Sequence, residues 1–198
     1  MHIQNTRQAY GLIAVLLHWA VAIGFIAAYC AVYYRQWFTV KDTPANWTVL
    51  QLHLSFGVSI AAFAVLRVIW KAMSVTPVDA PGPRVEHLAA HAAHWALFAF
   101  MIIMPITGYL GTGVGTEYFF VVDIPKFEDT AVFRTVVAGW MGLTFKEFEA
   151  PLDLVHKRSG AYIVWVLVLI HAAAALYHHY VRKDFVLVRM LSPGRSSR

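Results

Sequence analysis

Three histidines, His18, His53 and His171, fall inside stretches of the chain without a single Asp, Glu, Lys or Arg, and a fourth, His156, stands at the mouth of the last of these. An ionisable side chain in an apolar segment is costly and therefore marks function. A neutral imidazole can offer one ring nitrogen to a metal while the other donates a hydrogen bond. Two such rings on opposite sides of a haem iron fill both axial positions. The result is a low-spin centre suited to electron transfer more than to oxygen binding. Cys30 is the sole cysteine, which excludes a CxxCH attachment, so any haem is held non-covalently.

Depth pairs these residues. His18 lies 11 residues beyond Arg7, and His171 lies 11 residues before Arg182, so the two share a level. His53 follows Pro44–Trp47 by a few residues and His156 opens the last apolar stretch from the same side, which gives a second level. The 15 residues from His156 to His171 correspond on a helix to ~22 Å of rise and four turns plus ~60°, so both rings point broadly to one interior. Helix bundles build cofactor sites from such facing side chains. The expected iron-ligand pairs are His18 with His171 and His53 with His156. Each of His53 and His156 has a glycine at i+4, Gly57 and Gly160, on its own face. These glycines would clear space for a macrocycle, or else let membrane helices pack closely. Ala22 and Ala172–Ala175 play the same part around His18 and His171.

Arg67, 14 residues after His53, falls ~21 Å deeper, near the His18/His171 level. It could neutralise a haem propionate, hold a quinone carbonyl, or snorkel to the interface. His87, His91 and His94 share one helical face, and His178 lies two turns beyond His171. His91, His94 and His178 suit quinone binding or proton relay, with spare ligation, interfacial polarity or a divalent-metal site involving His178 and His179 as rivals. The residues themselves assign no catalytic group.

The elements that carry these side chains follow from composition. Of the 198 residues 59% are hydrophobic and 14% charged, and the uncharged windows 8–34, 43–66, 87–116 and 159–181 hold 27, 24, 30 and 23 residues. About 20 helical residues cross a ~30 Å hydrocarbon core, so each window can span. Continuous apolar runs exclude the alternation of a membrane barrel. The expected fold is all-α, an integral membrane four-helix bundle in one domain over 1–198, with spans about 10–34, 46–71, 87–111 and 155–181. The first window is read as a mature helix and not a secretory signal. Pro105 should kink the third span, with Gly108 giving local room.

Segments 1–7, 67–86 and 182–198 carry nine Lys/Arg against three Asp/Glu, whereas 35–42 and 117–153 carry five against eight. The positive-inside rule then puts both termini in the cytoplasm. The basic C-terminal segment reads as this topology signal and not as a nucleic-acid site. The outer loop, about 112–154, is expected to place short amphipathic helices on the membrane face over Asp129–Glu149.

The combination of His18-Trp19 with Ala27-Ala-Tyr-Cys30, His53-x-x-x-Gly57 with Val65-Leu-Arg67, His91-x-x-His94 with Pro105-x-x-Gly108, and His171-Ala-Ala-Ala-Ala-Leu-Tyr-His178-His179-Tyr followed by Arg182-Lys-Asp184 resembles the bacterial cytochrome b561 family across all four spans. The resemblance implies a bacterial inner-membrane cytochrome with two haem b groups, ligated by the same histidine pairs and exchanging electrons with ubiquinone. It also implies kinship with the cytochrome subunits of respiratory formate dehydrogenases and nickel hydrogenases, and at least one member is similar to a superoxide oxidase. Two departures stand out. The last-helix ligands are expected 14 residues apart where this chain has 15, and the outer loop is longer and net acidic. Its charge leaves the donor open between a small one-electron species such as superoxide and a periplasmic redox protein. An alternative is a cytochrome b anchor that links a separate dehydrogenase or hydrogenase subunit to quinone. A haem-free metal or proton transporter is the third.

Overall fold

Thr43 starts the second long helix by accepting a hydrogen bond from the Asn46 amide at 3.3 Å, with Pro44 in the first helical position, where no amide hydrogen is needed. The computed structural model describes residues 2–194, so Arg195 and Arg198 of the basic segment lie outside the described residues. Helices α1 (Leu12–Phe38), α2 (Pro44–Met73) and α3 (Arg84–Leu110) precede a fourth that runs Phe145–Arg182. Among the described residues these four are the helices long and apolar enough to cross a membrane. The shortest have 27 residues, or about 40 Å against a hydrocarbon core of about 30 Å.

Burial is inverted relative to a water-soluble bundle. Leu16, Ile23 and Ile26 of α1 and Val166, Leu169 and Ile170 of the fourth helix face outward, while the largest fully buried side chains are the polar Gln51 and Ser55. Lipid solvates apolar side chains as well as a core does, so the interior is where polar groups find partners. Close helix approach uses small residues. A Cβ on Gly24 of α1 would lie 2.9 Å from Ile60 Cγ1 of α2.

The fourth helix begins ten residues before the expected 155. Thr144 and Glu147 form a reciprocal capping box that starts α4 (Phe145–Arg158). A π turn, Ser159–Ile163, leads into α5 (Val164–Tyr177), and a second, His178–Arg182, ends at Lys183 in the left-handed region with φ 53°. A six-residue helix, α6 (Val186–Leu191), follows.

The loop between α3 and α4 departs from an all-α fold. Residues Thr116–Tyr118 (β1) and Val122–Ile124 (β2) form an antiparallel hairpin, with Glu117 opposite Asp123. Behind it, Phe133–Trp140 makes a short π-type helix with Phe133 and Val137 buried. Phe133 packs edge-on against Phe127, Phe145 and Phe148, with ring centroids 5.7–6.1 Å apart.

Both described chain ends meet at the opposite pole. Gly194 donates to the Tyr10 carbonyl at 3.0 Å, Val78 to the Arg7 carbonyl at 2.9 Å, and the Trp19 indole to the Met190 carbonyl at 2.7 Å. Arg182 pairs with Glu86 at 3.0 Å and Arg189 donates to the Val78 carbonyl, closing the α2–α3 connection against α6.

Candidate functional site

Each expected pair is brought together across helices. His18 of α1 and His171 of α5 have ring centroids 6.1 Å apart, and His53 of α2 and His156 of α4 have centroids 6.2 Å apart. Two metal–nitrogen bonds of about 2 Å and two ring radii of about 1 Å place a metal-bridged imidazole pair at roughly 6 Å. The residues present therefore fit a bis-imidazole centre at both levels.

The His53/His156 level is held by backbone carbonyls. His53 Nδ1–H donates to the Ala28 carbonyl of α1 at 2.9 Å, and His156 Nδ1–H donates to the Met104 carbonyl of α3 at 3.0 Å. A carbonyl can only accept, so both rings carry the hydrogen on Nδ1 and leave the Nε2 lone pair free for a metal. Thr107 Oγ1 lies 3.3 Å from the same His156 nitrogen, while its own hydrogen goes to the Ile103 carbonyl at 2.7 Å. Gly108 makes the approach physically possible, since a Cβ there would sit 2.8 Å from His156 Cε1. Beyond giving room near Pro105, Gly108 leaves its side-chain space to the His156 imidazole. Met104 and Thr107 were not foreseen. No periodicity announces which carbonyl a ring on another helix will reach.

The two glycines of the i+4 pattern differ. A Cβ on Gly57 would meet nothing within 4 Å, so space stands open beside His53. A Cβ on Gly160 would lie 3.1 Å from Met104 Cε, and the Gly160 carbonyl accepts from the Tyr29 hydroxyl at 2.7 Å. Gly57 thus matches the cradle expectation, while Gly160 serves helix packing.

At the His18/His171 level a third imidazole is present. His94 of α3 has its ring centroid 5.4 Å from that of His171. His18 Nδ1 is buried without a partner among the described residues, in contrast to the bonded rings of the other pair. The Arg67 guanidinium stands 5.1 Å from the Phe98 ring centre, and Lys71 Nζ lies 5.3 Å from the same ring. Val21, Ala64 and Met101, with Phe25 and Phe98, form the apolar core cluster. Val21 and Ala64 are each three residues from His18 and Arg67, so this cluster lies on the side of the lower level that faces the upper pair.

His91 and His178 are instead engaged by carboxylates. His91 Nε2 lies 3.1 Å from Asp79 Oδ2, which His87 also approaches at 3.6 Å, and His178 Nδ1 is 2.5 Å from Asp184 Oδ2. These pairs form at the pole of the chain ends. Their acidic partners lie in connecting segments whose placement hydropathy does not dictate.

The 15-residue spacing has a structural counterpart. The π turn Ser159–Ile163 stands between His156 and His171, and a single π turn absorbs one extra residue into a helix. Rotation between the two rings then corresponds to 14 regular residues, about 40° short of four full turns, in place of 60° beyond.

Comparison with known proteins gives one consistent family. The family described as prokaryotic cytochrome b561 matches residues 9–193. "Cytochrome b561 homolog 2" of Escherichia coli (strain K12) is 30% identical over 208 residues, covering 100% of this chain and 97% of that protein. "Probable superoxide oxidase CybB" of Yersinia pestis is 26% identical over 199 residues, covering 96% and 99%. "Cytochrome b561 homolog 1" of the same Escherichia coli strain is 25% identical over 187 residues, covering 89% and 93%.

Proposed function

The chain belongs to the prokaryotic cytochrome b561 family, as a bacterial membrane b-type cytochrome of electron transport, and we propose that it carries two haem b groups and moves electrons across the inner membrane to or from ubiquinone. The observation that carries this reading is the pair of cross-helix histidine couples, each with its centroids about one bis-imidazole span apart. His18 with His171 and His53 with His156 would hold the two haems. Haem b bound there supplies one-electron chemistry at two levels of the bilayer.

The chain's own residues do the rest. The Ala28 and Met104 carbonyls orient His53 and His156 and raise their basicity as ligands. Arg67 supplies a fixed positive charge at the His18/His171 level, for a propionate or a quinone carbonyl. His94, beside His171, is the residue best placed to hand protons toward quinone, with His91 and His178 nearer the surface. Nine Lys/Arg against three Asp/Glu in the segments at the pole of the chain ends support cytoplasmic termini. The donor at the periplasmic pole is a small one-electron species or a redox protein. Superoxide is the first to test, because a full-length relative bears the name probable superoxide oxidase; the acidic loop argues against long-range steering of such an anion.

The test is haem stoichiometry followed by stopped-flow reduction of the purified protein by superoxide and by quinol. Two haems per chain are expected, with one lost in each of His18→Ala and His53→Ala. Retention of both haems in either variant overturns the ligand pairs. Reduction by neither donor, together with co-purification of a soluble redox subunit, would establish the anchor role instead.

A further inference from the structure

Within the acidic loop the run Tyr118-Phe119-Phe120-Val121-Val122 is apolar throughout and bounded by Glu117 and Asp123. The hairpin folds this run into its tip. Phe119 and Phe120 turn the chain with φ 46° and 61°, a left-handed conformation that Gly and Asn adopt readily and bulky residues do not. A turn that tolerates this strain with two phenylalanines keeps them for their apolar surface. Phe120, Val121 and Val122 are 51%, 83% and 55% exposed.

The hairpin is not a free loop. β1 descends along α2 on a ladder of polar side chains spaced one turn apart. Trp47 Nε1 donates to Glu117 Oε1 at 3.3 Å, Glu117 N–H donates to Gln51 Oε1 at 2.7 Å, Phe119 N–H donates to Ser55 Oγ at 2.9 Å, and Tyr118 and Ser59 share a hydroxyl bond at 3.0 Å. Gln51 and Ser55 are both 0% exposed. Non-helical backbone survives at membrane depth only where the protein itself satisfies its amides, and this ladder does so for the β1 edge that faces α2.

Depth identifies what the tip meets. The Glu117 carboxylate reaches the indole of Trp47, a residue type that favours the membrane interface, and Asp123 lies opposite Glu117 in the hairpin. β1 runs one strand residue past Glu117 before the chain reverses, Phe120 N–H donating back to the Glu117 carbonyl at 3.0 Å, so the tip lies roughly 3–7 Å deeper at about 3.3 Å per residue. That reaches the depth of about 5–10 Å at which amphipathic elements bury their apolar face. Directly beneath, Phe63 lies one turn below Ser59 on the same α2 face and is 37% exposed, so the tip continues the lipid-facing surface of the span. We propose that the hairpin tip Phe119–Val122 is a lipid-inserted wedge, held among the acyl chains of the leaflet opposite the chain ends.

The test is electron paramagnetic resonance power saturation on spin labels at Val121→Cys and Asp123→Cys. Both are made in a Cys30→Ser background and embedded in nanodiscs of phosphatidylethanolamine and phosphatidylglycerol. The label at 121 is expected to be open to oxygen and shielded from a water-soluble nickel chelate, with the label at 123 several-fold more open to nickel. Equal nickel access at both positions overturns the wedge. Shielding of 121 from both reagents, with dipolar broadening between copies, overturns it in favour of a self-association surface. A Phe119→Asn/Phe120→Gly double variant suits the turn better yet lacks the apolar surface, so amide exchange over Glu117–Val122 is expected to quicken; unchanged or slower exchange also refutes the proposal. None of these readouts depends on haem ligation.

Discussion

Gly108 and His156 occupy one space: a Cβ on residue 108 would stand 2.8 Å from the imidazole Cε1. Ring and helix α3 can meet only because the side chain is missing, and that closeness brings His156 Nδ1 within 3.0 Å of the Met104 carbonyl.

Gly108→Ala is therefore expected to push the imidazole off its carbonyl, at a cost typical of overpacking, about 1–3 kcal/mol. Haem content measured on the purified variant should fall toward one per chain, with the spectrum of the His18/His171 centre retained. Full occupancy with an unshifted spectrum would show that the ring has room the structure does not reveal.

Gln51→Leu removes both partners of the hairpin edge, the acceptor for Glu117 N–H at 2.7 Å and the donor to the Gly115 carbonyl at 3.2 Å. A buried amide left without a partner costs about 1–3 kcal/mol. Thermal denaturation should show a lowered midpoint, and limited proteolysis should cut first between residues 113 and 125. Equal protease resistance of variant and parent would remove Gln51 from the hold on the loop.

The π turn between the two fourth-helix ligands makes deletions position-dependent. Removing Ala161 from within it converts the turn to regular helix and leaves the flanking segments in phase. Removing Val166 from α5 turns His171 by about 100° relative to His156, since 3.6 residues make a turn. Absorbance titration with haem should find two sites in the first variant and one in the second. If both deletions lose the same haem, the extra residue is not absorbed where the turn lies.

Arg67→Gln removes a positive charge that lies over Phe98 at 5.1 Å. A cation near a haem favours the electron-rich form, so its loss is expected to lower one of two midpoint potentials by some tens of millivolts and leave the other in place. A redox titration that finds both potentials unmoved would reduce Arg67 to an interfacial charge.

Much of the architecture could be read from residues alone because hydropathy and charge are additive along a chain. Four uncharged windows imply four spanning helices whatever their packing, and histidines counted from the flanking arginines fall at common depths because helical rise is constant. The same additivity misplaced the start of the fourth helix. The capping box at Thr144 and Glu147 is a local hydrogen-bond signal that outranks polarity, so helix continues through a segment too charged to lie in lipid.

The residues by themselves determined the solvent, the number of spans and the histidines that share a level, all properties of composition and regular spacing. Tertiary structure decided which carbonyl orients each ring, that Gly108 yields its space to His156, that a π turn resets the rotation between His156 and His171, and that Gln51 and Ser55 satisfy a hairpin absent from any periodic pattern. Those outcomes depend on the rotation of one helix against another and on hydrogen bonds between groups 25 to 66 residues apart. No local sum over the chain contains that information.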